Sequence, residues 1–113
     1  MLTIEKLKTY GADVEDGVSR CMGNEDFYLK MVNLMLAEDS ASKLKAAIDA
    51  KDLDLAFENA HALKGVSSNL SLTPLSKPTI EITELLRSRT DMDYTDLVNT
   101  ITDQWDKLVE LTQ

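Results

Sequence analysis

The stretch Tyr94-Thr95-Asp96-Leu97-Val98-Asn99-Thr100-Ile101-Thr102-Asp103-Gln104-Trp105-Asp106-Lys107-Leu108-Val109 decides the fold class. Its apolar members, Tyr94, Leu97, Val98, Ile101, Trp105, Leu108 and Val109, recur at helical steps. That spacing returns side chains to one side of a helix, whereas a strand would alternate them between two faces. The segment therefore predicts an amphipathic helix with one broad apolar stripe. Such a stripe needs other helices to cover it.

Working back from this helix, the same periodicity recurs. Ile82, Leu85 and Leu86 belong to a preceding helix, set off by the break at Thr73 and Pro74. Asp52 reads as the cap of a helix running to about Leu70, with Asp54 adding negative charge to its first turn. Asn24 caps a long segment carrying Phe27, Tyr28, Met31, Leu34 and Met35. After the polar patch Glu38–Ser40, Leu44, Ala47 and Ile48 continue or restart that helix. Thr3 and Asp13 cap two short segments, the first bearing Ile4 and Leu7, the second Val14, Val18, Cys21 and Met22. No two-residue alternation or hairpin turn signal argues for strands. The expectation is an all-α fold: an antiparallel four-helix bundle with one or two short additional N-terminal helices, forming a single domain over residues 1–113.

Composition narrows the function. The formal net charge of −8 argues against nucleic acid and anionic membrane surfaces, which need a basic footprint. Cys21 is the only cysteine, so neither an internal disulfide nor a cysteine-based zinc site is available. Glu5, Lys6 and Lys8 break the apolar character of the first ten residues, and no apolar run approaches membrane-spanning length. These features lead to an expectation of a cytoplasmic protein.

His61 is the only histidine. On a wheel stepped at about 100° per residue, Leu63, Val66 and Leu70 gather opposite it, with Ala56 and Ser67 near them. These define the expected buried face, and Asn59 falls near its centre. Phe57, Glu58, Lys64, Gly65 and Ser68 share the side of His61, so the imidazole should project outward. A lone histidine on a random helix surface carries no function, but three neighbours argue otherwise. Lys64, one turn away, places an ammonium within reach of an anion on the imidazole. Gly65 costs a mid-helix position about 1 kcal/mol relative to alanine, and lacking Cβ it leaves room for another molecule. Phe57 is either an outward apolar contact or a partly covered core residue.

An uncharged imidazole is a good nucleophile near neutral pH. Phosphorylation would place a multiply charged group beside the ring, where Lys64 can offset it. An exposed site permits direct transfer to a second protein's carboxylate, with a metal ion near the transferring oxygens. The chain offers no obvious metal cluster, so no cofactor is expected on it, and Mg²⁺ should belong to the partner.

Ala60-His61-Ala62-Leu63-Lys64-Gly65 resembles the signature of histidine phosphotransfer (HPt) domains of bacterial phosphorelays. Asp52-Leu53, Ser67-Ser68-Asn69-Leu70, Ile80-Glu81 and Gly23-Asn24-Glu25-Asp26 resemble further stretches of that family, so the similarity covers most of the chain. The resemblance implies a four-helix bundle that relays phosphate between receiver-domain aspartates. His61 would be the phosphoacceptor, Lys64 its charge partner and Gly65 the clearance position. Phe57, Glu58 and Ser68 would contribute to partner binding. The expected partners are receiver domains of response regulators or hybrid histidine kinases, and the protein would be a carrier without catalytic activity of its own. Two positions depart from the pattern. Ser71 stands where the family usually has glycine, and Pro78 lies inside a family helix that it should start or kink.

Two other readings can be weighed. Glu58-Asn59-Ala60-His61 is a Glu-x-x-His element, but di-iron bundles need two such elements facing inward, and this chain has one histidine on the outer face. A helical docking module that binds receiver domains without transferring phosphate would use the same surface. The intact His61, Lys64 and Gly65 group favours transfer, because docking alone gives no reason to keep all three together.

Overall fold

The computed structural model describes all residues, Met1–Gln113, and contains seven helices and no strand. They are α1 (Ile4–Tyr10), α2 (Val14–Arg20), α3 (Glu25–Ala37), α4 (Ser40–Asp49), α5 (Leu53–Asn69), α6 (Thr73–Arg87) and α7 (Thr95–Leu111). Four begin at the caps read from sequence. The side-chain oxygens of Thr3, Asp13, Asn24 and Asp52 accept from the backbone N–H groups of Lys6, Asp16, Phe27 and Leu55 at 3.0–3.2 Å. Each satisfies a donor that has no partner within its helix. Glu38 is extended between α3 and α4, so the segment after Asn24 ends and restarts as a new helix.

Helices α4 to α7 form the bundle. α5 packs against α6 and α4, and α7 closes the ring against both of those. The connections are short, so successive helices run antiparallel. Buried apolar residues from Leu2 to Leu108 make one continuous cluster. The α7 stripe contributes Val98, Ile101, Trp105 and Leu108, as its periodicity requires. No helix is long and apolar enough to cross a membrane.

The N-terminal helices are tied to the corner between α5 and α6. Tyr28 is fully buried and donates from its hydroxyl to the Leu70 carbonyl at 2.8 Å. Gly17 lies against the same point, because a Cβ there would stand 2.5 Å from the Tyr28 ring and 2.9 Å from the Leu70 oxygen. The Asp13 N–H donates to the Ser71 carbonyl at 2.9 Å, and the Ser71 hydroxyl donates to the Asp16 carboxylate. Ser71 adopts φ +54°, a left-handed conformation that glycine takes more readily. The serine at this departure therefore carries a strained backbone and, in exchange, a hydrogen bond to α2.

Two sequence expectations need correction. α6 does not start at Pro78; it starts at Thr73 with Pro74 in its first turn and runs through Pro78. A proline there removes one backbone hydrogen bond. Burial of Leu75, Thr79, Ile82 and Leu86 against the bundle holds the helix across the gap. Val66 is not part of the buried face of α5, being 42% exposed. The inner face consists of Ala56, Ala60, Leu63 and Ser67, and is rotated roughly 50° from the point diametrically opposite His61 at 100° per residue. The same rotation moves Asn59 from the centre to the flank, where it is half-buried and donates to the Lys43 carbonyl at 3.4 Å.

Candidate functional site

α5 presents small residues to its neighbours and chemistry to the solvent. Ala56, Ala60 and Ser67 allow close packing, and the Ser67 hydroxyl is satisfied by the Leu63 carbonyl at 2.7 Å. The opposite side carries His61, exposed in the middle of the helix. One turn earlier, Phe57 stacks on it with ring centroids 5.6 Å apart and planes 10° from parallel. Phe57 is half-buried and packs at the edge of the core, the partly covered core position that was one of its two readings. Stacking limits the orientations open to the imidazole.

Gly65 lies one turn beyond His61 and is exposed, and a Cβ built there meets nothing within 4 Å. The space beside the imidazole is therefore open on that side. Lys64 is half-buried at the border with α6, where its ammonium stands 3.8 Å from the Glu84 carboxylate. Ser68 is half-buried, and its hydroxyl oxygen is shielded from solvent without a hydrogen-bond partner. Glu58 is exposed and lines a shallow groove with Phe57, Leu86 and Arg87. An ion pair joins Asp54 of α5 to Arg89 in the turn that follows α6. The outer face of α5 thus holds all six residues singled out from sequence, with Glu58 toward the α6 C-terminus. Nowhere do three or more His, Cys, Asp or Glu side chains converge in a metal-binding group.

Sequence reasoning missed two residues of this site, Glu84 and Arg87 of α6. The Arg87 guanidinium lies 5.1 Å from the centre of the Phe57 ring, within cation–π range. Its Nε also lies 3.3 Å from Glu84. The imidazole is therefore flanked through Phe57 by one cation and along α5 by a second, with a single carboxylate between them. Within α6, Glu84 and Arg87 look like an ordinary exposed pair one turn apart. Their meaning comes from the helix they face, which only the α5–α6 packing supplies.

The arrangement can present a nucleophilic nitrogen to an incoming molecule, with the Lys64 ammonium one turn along the same helix to face a resulting anion. No curated protein and no solved structure matches the chain. Compared with models of known families, residues 34–111 match the Hpt domain, a family of phosphotransfer carriers in phosphorelays. That stretch includes the whole four-helix bundle and the face that carries His61, and it spans well over half of the sequence, so the chain belongs to the Hpt domain family.

Proposed function

We propose that His61 accepts a phosphoryl group from the aspartyl phosphate of one receiver domain and passes it to the aspartate of another. The observation that carries this reading is the open face of α5. There His61 is exposed, Gly65 leaves the approach free, and Lys64 and Arg87 supply positive charge nearby. In the loading step a ring nitrogen's lone pair attacks phosphorus. The P–O bond to the aspartate breaks, the carboxylate leaves with the electron pair, and an N–P bond forms. The reverse sequence on a second receiver delivers the group. Mg²⁺ held by the receiver's acidic cluster neutralises the transferring oxygens.

In this reading the 113 residues act as one cytoplasmic unit, a carrier whose transfer chemistry needs the receiver domain. The partners are receiver domains of response regulators or of hybrid histidine kinases. Phe57, Glu58 and Ser68 supply contacts around the histidine.

The test is phosphate uptake from a panel of receiver domains phosphorylated with acetyl phosphate. The parent should acquire an acid-labile, base-stable phosphate, and His61→Gln should fold normally and acquire none. Label on the His61→Gln variant would move the site elsewhere. Receiver binding by the parent without any label would leave the docking reading in its place.

A further inference from the structure

We propose that Glu84 is the resting counter-ion of Lys64, and that it sets how readily His61 gives up a phosphoryl group. The inference rests on the function proposed above. Glu84 sits on α6, opposite the histidine helix, and both of its carboxylate oxygens are engaged. Oε1 faces the Lys64 ammonium at 3.8 Å, and Oε2 faces Arg87 Nε at 3.3 Å. Arg87 in turn lies over Phe57, whose ring stacks on the imidazole. One carboxylate thus holds both cations that flank His61.

The Lys64 contact is too long for a hydrogen bond and more than half of the Glu84 side chain is exposed, so it is an ionic contact that can exchange. A phosphoryl group on His61 would bring about two negative charges to the same neighbourhood. Lys64 would then have two anionic partners, and Glu84 would compete with the phosphoryl group for it. Glu84 would also repel that group directly. Both effects disfavour the loaded state relative to the empty one. Glu84 is therefore a positioning residue whose charge biases the carrier toward release.

An alternative role for Glu84 is to staple α6 to α5. A staple affects stability but does not alter the balance between phosphohistidine and aspartyl phosphate. The measurement that separates the two is the equilibrium between the protein and one receiver domain from the panel above that labels the parent. Glu84→Gln keeps the shape and removes the charge. It should raise the ratio of phosphohistidine to aspartyl phosphate about three- to fivefold, the size expected of one exposed charge contact. The increase should shrink as salt is raised, because a Debye length of about 10 Å at 0.1 M screens such a pair. Glu84→Asp should return the ratio toward the parent value. Thermal unfolding of each variant is followed in parallel. A ratio equal to the parent's at every salt concentration overturns the proposal, and so does a lower ratio, which would mean that Glu84 supports the loaded state by orienting Lys64. A parent that no receiver labels on His61 would instead overturn the function on which the proposal rests.

Discussion

Replacing Gly17 and Gly65 by alanine, one at a time, should change stability in opposite directions, although both lie inside helices. At Gly65 a Cβ meets nothing within 4 Å, so only the helix preference of alanine acts. That contributes about 1 kcal/mol of stabilisation. For a chain of this length the midpoint of thermal unfolding should rise by about 4 °C. At Gly17 the same preference is opposed by a collision, since the new methyl would stand 2.5 Å from the Tyr28 ring and 2.9 Å from the Leu70 carbonyl oxygen. The ring cannot swing aside freely, because its hydroxyl is bonded to that same carbonyl at 2.8 Å. Overpacking costs about 1–3 kcal/mol, and disturbing a buried hydrogen bond adds about 1 kcal/mol. After the propensity gain, Gly17→Ala should be destabilised by about 1–3 kcal/mol. Urea unfolding followed by Trp105 fluorescence gives both values on one scale. If Gly17→Ala is as stable as the parent, the close contact of α2 with the α5–α6 corner is wrong. If Gly65→Ala is less stable, the open space beside His61 is wrong. In the proposed relay, Gly65→Ala should also slow phosphate transfer, since a methyl there would narrow the open space beside His61.

The remaining predictions concern charge. Lys64→Ala should slow phosphate uptake or shorten the lifetime of the phosphohistidine, yet change receiver affinity by no more than about fivefold, the upper end for an ion contact that water still reaches; calorimetry beside a transfer assay tells the two apart. The Asp16 carboxyl is held below the usual range by the Ser71 hydroxyl and then by Arg20. Its contribution to stability is therefore present above the ordinary carboxylate value of 3.8 and lost as pH falls below it, so parent and Asp16→Asn should converge in stability on acidification. Burial pushes the Tyr28 phenol up to about 12 from 10.0, with Cys21 and Asp13 adding to the effect. Its contribution is complete below pH 10 and lost as pH rises toward 12, and Tyr28→Phe should flatten that alkaline decline in urea midpoints.

The parts of the fold legible in the sequence were those set by local spacing. Thr3, Asp13, Asn24 and Asp52 cap helices through bonds that reach three residues along the chain, so each announced its helix without knowledge of the rest. The α7 stripe was legible because its apolar periodicity persists along the whole helix. On α5 the outward direction of His61 was readable, but the inner face was not placed correctly. A wheel referred to His61 assigns Val66 inward, whereas the packing of α4 and α6 centres that face between Ala60 and Leu63. Pro78 does not start α6 for a related reason, since the local rule that a proline opens a helix was outweighed by burial along α6. At the site, Phe57, Lys64 and Gly65 lie within one turn or so of His61 and could be found. Glu84 and Arg87 approach from another helix, and no spacing within the chain predicts that register.

His61 stands on a single open face with its back to the bundle, and such ground admits one visitor at a time. In the proposed relay, donor and recipient must queue for it. Idle recipient in excess would then delay reloading as surely as a scarcity of donor. Traffic through the carrier is governed by how soon each visitor leaves, so brief encounters serve it better than tight ones: once the face is occupied most of the time, each tenfold gain in residence time is about a tenfold loss in how often the face is free.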